Sequence, residues 1–81
     1  MVKVEKWYAT WCSPCTAMAP VLDAMHESGE IELTSYNVEE SMSEARANGI
    51  RGVPTLIVRD GDGEEVARFS DVTSLRQYMS K

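Results

Sequence analysis

The sequence predicts an α/β fold in one domain over residues 1–81, with a mixed four-stranded sheet and helices on both faces. Three observations carry this. Short β-branched and aromatic runs alternate with segments whose apolar residues recur at helical spacing. The runs come in the order β-α-β-α-β-β-α, in which strands and helices alternate first and two strands follow directly. Those last two strands are joined by Asp60-Gly61-Asp62-Gly63, which is turn chemistry. Eighty-one residues leave room for one core, and no Gly/Ser-rich, Pro-rich or repeated stretch marks a linker.

The first strand is read over Val2–Ala9, rich in β-branched and aromatic residues. From Ser13 to about Ser28, Ala17, Met18, Val21, Leu22 and Met25 follow the spacing of one helical face. Pro14 suits the first turn of that helix, Gly29 its end, and Pro20 in the interior predicts a kink. Ile31 to Val38 reads as a second strand, with Ile31, Leu33 and Ser35 on one side and Glu32, Thr34 and Tyr36 on the other. Ser41-Met42-Ser43-Glu44 is a capping-box pattern opening a short helix that stops near Asn48-Gly49. Thr55–Arg59 is the continuous apolar run of a buried central strand, and Glu65–Phe69 is its hairpin partner. Asp71 or Thr73 caps a last helix carrying Leu75, Tyr78 and Met79 on one side. The early alternation predicts parallel pairing through crossovers, with a hairpin closing the sheet.

Composition excludes several functions. A content of 43% hydrophobic and 26% charged residues is that of a globular chain rather than a disordered one. A net charge of -5 repels phosphates, and the eight basic residues are scattered, so nucleic-acid binding is not expected. The longest apolar run, Leu56-Ile57-Val58, is too short to span a bilayer, and the stretch from Met1 has no apolar region of a secretory signal. The expectation is a cytoplasmic monomer. Two cysteines three positions apart are too few to staple a secreted fold, and in a reducing compartment they read as reactive.

Cys12-Ser13-Pro14-Cys15 lies where the first strand hands over to the first helix. Unpaired N–H groups and the macrodipole at a helix start favour negative charge. The thiolate is the nucleophile in disulfide exchange, so Cys12 is the expected attacking group. Cys15, one turn inward, is placed to attack the mixed disulfide and release the product. Pro14 stiffens the loop. Half a zinc site is the competing reading of such a pair, but only His26 is available within the chain to complete it, and a zinc bridge between two chains stays open. Two inert buried cysteines are the blander alternative, against which the polar, Pro-containing loop argues.

Trp11-Cys12-Ser13-Pro14-Cys15 resembles the thioredoxin signature Trp-Cys-Gly-Pro-Cys, with Ser for Gly. Pro20 falls where thioredoxins carry their helix-kinking proline. Gly49-Ile50-Arg51-Gly52-Val53-Pro54-Thr55-Leu56 is similar to the thioredoxin segment whose proline is cis. The resemblance covers about Trp7 to Phe69 and implies a minimal thioredoxin fold, near glutaredoxin in size, because the strand and helix that thioredoxins carry ahead of the active-site strand are missing. It also implies that Val53 and Pro54 lie against the cysteines and that the backbone before Pro54 pairs with substrate like an added strand. Trp11, Ser13 and Pro14 complete the implied substrate surface, with Trp11 half exposed.

Two further departures stand out. The family's buried aspartate, six residues before the first active-site cysteine, is Lys6 here. Alternation puts Lys6 on the face of Val2, Val4 and Tyr8, partly beneath the redox helix. There it either supports negative charge on the sulfurs or snorkels to water. Asp71 stands where the family tends to have a substrate-contacting glycine. Other residues have structural readings: Trp7, Met18 and Met25 in the core, His26 at a helix end, and Glu39, Glu40 and Glu44 as a solvated face.

The function implied is thiol–disulfide exchange with disulfide-containing substrate proteins, the electrons travelling on Cys12 and Cys15 with no bound cofactor or metal. Recharging falls to a thioredoxin reductase or to the glutathione system. A glutaredoxin-like, glutathione-recycled protein is the nearest alternative, and a non-enzymatic binding module on the same fold is a second.

Overall fold

Val2–Tyr8, rich in β-branched and aromatic residues and buried on both faces at Lys6 and Trp7, forms strand β1; the computed structural model describes residues 2–81. After it come α1 (Ser13–Glu27), β2 (Ile31–Asn37), α2 (Met42–Ala47), β3 (Thr55–Arg59), β4 (Glu65–Phe69) and α3 (Val72–Met79). They make one mixed sheet in the order β2-β1-β3-β4. β1 and β2 are parallel, with Val2 opposite Ile31. β3 runs antiparallel to β1, with Lys6 opposite Leu56, and β4 antiparallel to β3.

Only the first crossover therefore gives a parallel pair, which corrects the expectation for the second. The reason is length. α1 has 15 residues, about 22 Å at 1.5 Å per residue, which matches a seven-residue strand and carries the chain back to the sheet's starting end. α2 has six residues, about 9 Å, and cannot make that return. β3 consequently starts at the end where β2 finishes and runs the other way.

Helices cover both faces. On one, Met18, Leu22 and Met25 of α1 and Leu75 of α3 pack against Val4, Ile31, Leu56 and Val58. On the other, Ala45 of α2 joins Trp7 and Ile57, with Tyr36 stacked on Trp7 at 4.4 Å between ring centroids. Adjacent residues of β3, Leu56 and Ile57, thus serve opposite cores, as a continuous apolar strand requires.

Two expectations about helices are corrected. The buried stripe of α1 is Cys15, Met18, Leu22 and Met25, while Ala17 and Val21 are exposed. A single sheet face and one edge of α3 cover only a narrow strip of a helix's circumference. At α2, Ser41 occupies the N-cap position but makes no side-chain cap bond among the described residues. The turn before it is closed instead by Asn37, whose side chain accepts from the Glu39 N–H at 2.8 Å and whose carbonyl accepts from the Ser41 N–H at 2.9 Å.

Both α1 and α2 end on a glycine with positive φ, Gly29 at 85° and Gly49 at 66°. In each the following N–H reaches back to the helix: Glu30 to the Met25 carbonyl at 3.0 Å, Ile50 to the Ala45 carbonyl at 2.9 Å. This left-handed end turns the chain sharply and satisfies two terminal carbonyls. At α2 the turn also drops Ile50 onto the Trp7 cluster and aims the chain at the redox loop.

Candidate active site

β1 ends at Tyr8, and a tight turn in which the Cys12 N–H donates to the Ala9 carbonyl at 3.2 Å delivers the chain to α1. Cys12 is the N-cap residue, with extended backbone (φ -91°, ψ 107°). Its carbonyl accepts the first helical bond, from the Thr16 N–H at 3.1 Å. Its Sγ accepts from the Cys15 N–H at 3.3 Å. The sulfur thus occupies the place where a serine or aspartate cap would put its oxygen. The first turn, Ser13 to Thr16, holds no carboxylate to oppose a negative charge there. Pro14 sits in that turn, where it removes no helical hydrogen bond.

Cys12 and Cys15 are joined as a disulfide, with Cα atoms 5.3 Å apart. Both are buried, at 4% and 3% exposure, which corrects the expectation that the polar loop would keep them open. Ser13 and Pro14 do face water, but they project away while the sulfurs turn inward. Ala9, Tyr8, Val38 and Val53 wall them in. Val53 thus lies against the pair, and the Val53–Pro54 peptide bond is cis.

Trp11 is 70% exposed, more than half. With Val38, Ala45, Ile50, Arg51, Gly52 and Val53 it lines a groove of about 230 Å³ beside the disulfide. The Arg51–Val53 stretch belongs to no strand ladder, since β3 begins at Thr55. Val38, Ile50 and Arg51 were not singled out from sequence as groove residues. The Gly49–Leu56 motif was the available signal for two of them, whereas Val38 merely follows a strand.

Lys6 lies on the inner face of β1 at 8% exposure, its Nζ 5.0 Å from the Tyr8 ring centroid. Asp71 is the N-cap of α3: its carboxylate accepts from the Ser74 N–H at 2.6 Å and the Ser74 hydroxyl at 3.1 Å. His26 stands near the far end of α1, fourteen residues from Cys12 and so about 21 Å along the axis, outside ligating reach of the cysteines. Among the described residues no three His, Cys, Asp or Glu side chains gather as a metal site. No helix among them is long and apolar enough to cross a membrane.

Sequence reasoning missed the anchor of the loop. Arg68 of β4 reaches across to the end of α2, donating to the Asn48 carbonyl at 2.6 Å and the Gly49 carbonyl at 3.1 Å. It is held by Glu65 at 2.7 Å, which keeps the Glu65 carboxyl below its ordinary range, chiefly through that hydrogen bond. Arg59, ion-paired to Glu5 at 2.9 Å, also donates to the Asn48 side chain at 2.6 Å. The contacts to Asn48 and Gly49 span 11 to 20 residues and carry no local signature.

A disulfide whose leading cysteine caps the helix after the first strand of a mixed sheet, beside a cis-proline loop, defines a thioredoxin-fold thiol–disulfide oxidoreductase. The thioredoxin family model matches residues 2–81, and the chain belongs to the thioredoxin family. It is 33% identical over 84 residues to a thioredoxin of Staphylococcus epidermidis, covering 99% of this chain and 81% of that one. To a thioredoxin of Thiocapsa roseopersicina it is 44% identical over 59 residues, 70% of this chain and 64% of the relative. Among solved structures, a mutant thioredoxin from Halobacterium salinarum matches with a TM-score of 0.84 and 33% identity, over 98% of this chain and 72% of that one. A thioredoxin of Nicotiana alata matches with a TM-score of 0.88 and 28% identity, over 98% and 70%.

Proposed function

We propose that the reduced chain is a protein-disulfide reductase in which Cys12 attacks and Cys15 resolves. The Cys12 thiolate displaces one sulfur of a target disulfide as a thiolate and forms a mixed disulfide. Cys15 then attacks Cys12 Sγ, the second target sulfur leaves, and two electrons have passed from the dithiol to the target. The observation supporting this reading above all is the Cys15 N–H aimed at Cys12 Sγ from the helix start. A donor that meets the sulfur of the disulfide is equally placed to meet a thiolate.

In this reading the exposed faces of Trp11, Ser13 and Pro14 and the Arg51–Pro54 backbone receive an extended target segment, which adds as a short strand at Val53. Asp71 is engaged in capping α3 and does not offer the flexible contact a glycine would. The substrates are disulfide-containing proteins, and a flavoprotein thioredoxin reductase recharges the monomer in a reducing, cytoplasmic compartment. The electrons reside on Cys12 and Cys15 without a bound cofactor.

The test is insulin reduction with two recharging systems. Turnover is expected with NADPH and thioredoxin reductase and not with glutathione and glutathione reductase. The reverse result makes the protein glutaredoxin-like. No reduction even with dithiothreitol as the recharging agent makes it a binding platform.

A further inference from the structure

Lys6 is the only charged side chain that is buried among the described residues. Neither of the ion pairs formed among those residues includes it. It stands on β1 opposite Leu56 of β3 and Ser35 of β2, with the face of Tyr8 near its ammonium. Its stem is buried while its ammonium, with no hydrogen bond and no carboxylate beside it among the described residues, keeps contact with water. It shares a recess of about 320 Å³ with Cys15, the walls being completed by Tyr8, Ala9, Thr10, Thr16 and Ala19.

Cys15 has the opposite deficiency. At 3% exposure among apolar neighbours, its thiol is poorly placed to become the anion that exchange requires. The helix-start N–H that it owns points at Cys12 rather than at its own sulfur. Of the residues lining the recess, Lys6 alone carries a formal charge, and Tyr8 is the only titratable group besides Cys15 and Lys6. Arg51 lies on the groove side of the pair, with Trp11 and Val53.

We propose that Lys6 is a positioning residue for the second half-reaction: its ammonium, held in the same recess as Cys15, supports the Cys15 thiolate that attacks the mixed disulfide. The proposal rests on the assignment of Cys12 as attacking and Cys15 as resolving thiol. In that step Cys15 first loses its proton to water. Its sulfur then bonds to Cys12 Sγ, the bond from Cys12 to the target sulfur breaks, and the target leaves as a thiolate that takes a proton from water. The charge of Lys6 is unchanged throughout; an opposite charge beside a sulfur that is itself buried lowers the cost of the anion.

The experiment uses the full reduced chain and one equivalent of dithiobis(nitrobenzoic acid) in a stopped-flow instrument. The first release of thionitrobenzoate reports attack by Cys12, and the second reports resolution by Cys15. In Lys6→Met the second release at pH 7 slows about tenfold or more while the first is unchanged, and Lys6→Arg restores it. As the pH rises until Cys15 ionises unaided, wild type and Lys6→Met converge. Lys6→Gln replaces Lys6→Met if the latter fails to give a native circular dichroism spectrum. A second release that is unchanged at pH 7, or slowed equally at every pH, overturns the proposal and leaves Lys6 a structural residue. A first release that persists at the wild-type rate in Cys12→Ser instead overturns the assignment of Cys12 on which the proposal rests.

Discussion

The two cysteines occupy unequal positions three residues apart, and the inequality predicts their division of labour. Cys12 caps α1 and receives an N–H, whereas Cys15 lies inside the first turn. Cys12→Ser is expected to reduce insulin turnover to background. Cys15→Ser is expected to leave the first attack intact and accumulate covalent adducts with target proteins, seen as thiol-sensitive bands on non-reducing gels. Faster alkylation of Cys15 than of Cys12 in the reduced protein would reverse the assignment. A second single-residue effect belongs to Asp71, whose carboxylate caps α3 through the Ser74 N–H. Asp71→Ala should cost about 1 kcal/mol in urea unfolding, with Asp71→Asn losing much less, since Asn caps comparably.

The element of most consequence is the short helix α2 together with the loop that leaves it. Its Gly49 turn and the Arg68 clamp fix where the chain departs toward Val53. Arg68→Ala should lower stability by about 1 kcal/mol. It should also speed deuterium exchange at Gly49 and Ile50, whose N–H groups close the turn after α2, while exchange in the Leu56–Val58 core stays slow. The Glu65 arm of the clamp gives a pH dependence. Its carboxyl is held below the ordinary value of 4.5, so the folded state binds the proton less readily than the unfolded chain. The pair's contribution is therefore present above about pH 4.5 and lost as the pH falls through the lower folded value. Both groups are about one-third exposed, so screening keeps the effect to a few tenths of a kcal/mol. The difference in urea midpoint between wild type and Glu65→Gln should shrink from pH 7 to pH 3. A difference that grows would exclude this role.

At the scale of the whole molecule, two thin cores share one sheet, and β3 serves both. Leu56 faces α1 and α3, and Ile57 faces α2. A chain of this size has of the order of 5–15 kcal/mol of stability to lose. Leu56→Ala, at a site with no exposure, should cost about 2–5 kcal/mol. At roughly 4–8 °C per kcal/mol this lowers Tm by about 8 °C at least, measurable by calorimetry. Val66→Ala, on the exposed side of β4, should change Tm by only a few degrees. Equal shifts at the two positions would contradict the placement of the cores.

Much of the architecture was legible in the sequence because it is local physics. Strand and helix periods, Pro14 at a helix start, Gly29 and Gly49 at helix ends and the Asp60–Gly63 turn are read within a few residues, and β3 and β4 have the limits their apolar patterns predict. The cysteine pair and its place at a helix start were equally legible, as was the motif around Pro54. Tertiary structure alone decided the rest. The direction of β3 depends on how far α2 can carry the chain, a comparison of lengths between separate elements. Burial of Cys12 and Cys15 depends on Val38 and Val53 arriving from other segments, and exposure of Ala17 and Val21 on how little of α1 is covered. The Arg68 clamp and the recess shared by Lys6 and Cys15 join residues with no local pattern between them. Short-range sterics and hydrogen bonding act along the chain and leave their mark on composition and spacing. Which side chains meet across the fold follows from the packing of whole elements, and only the folded chain expresses it.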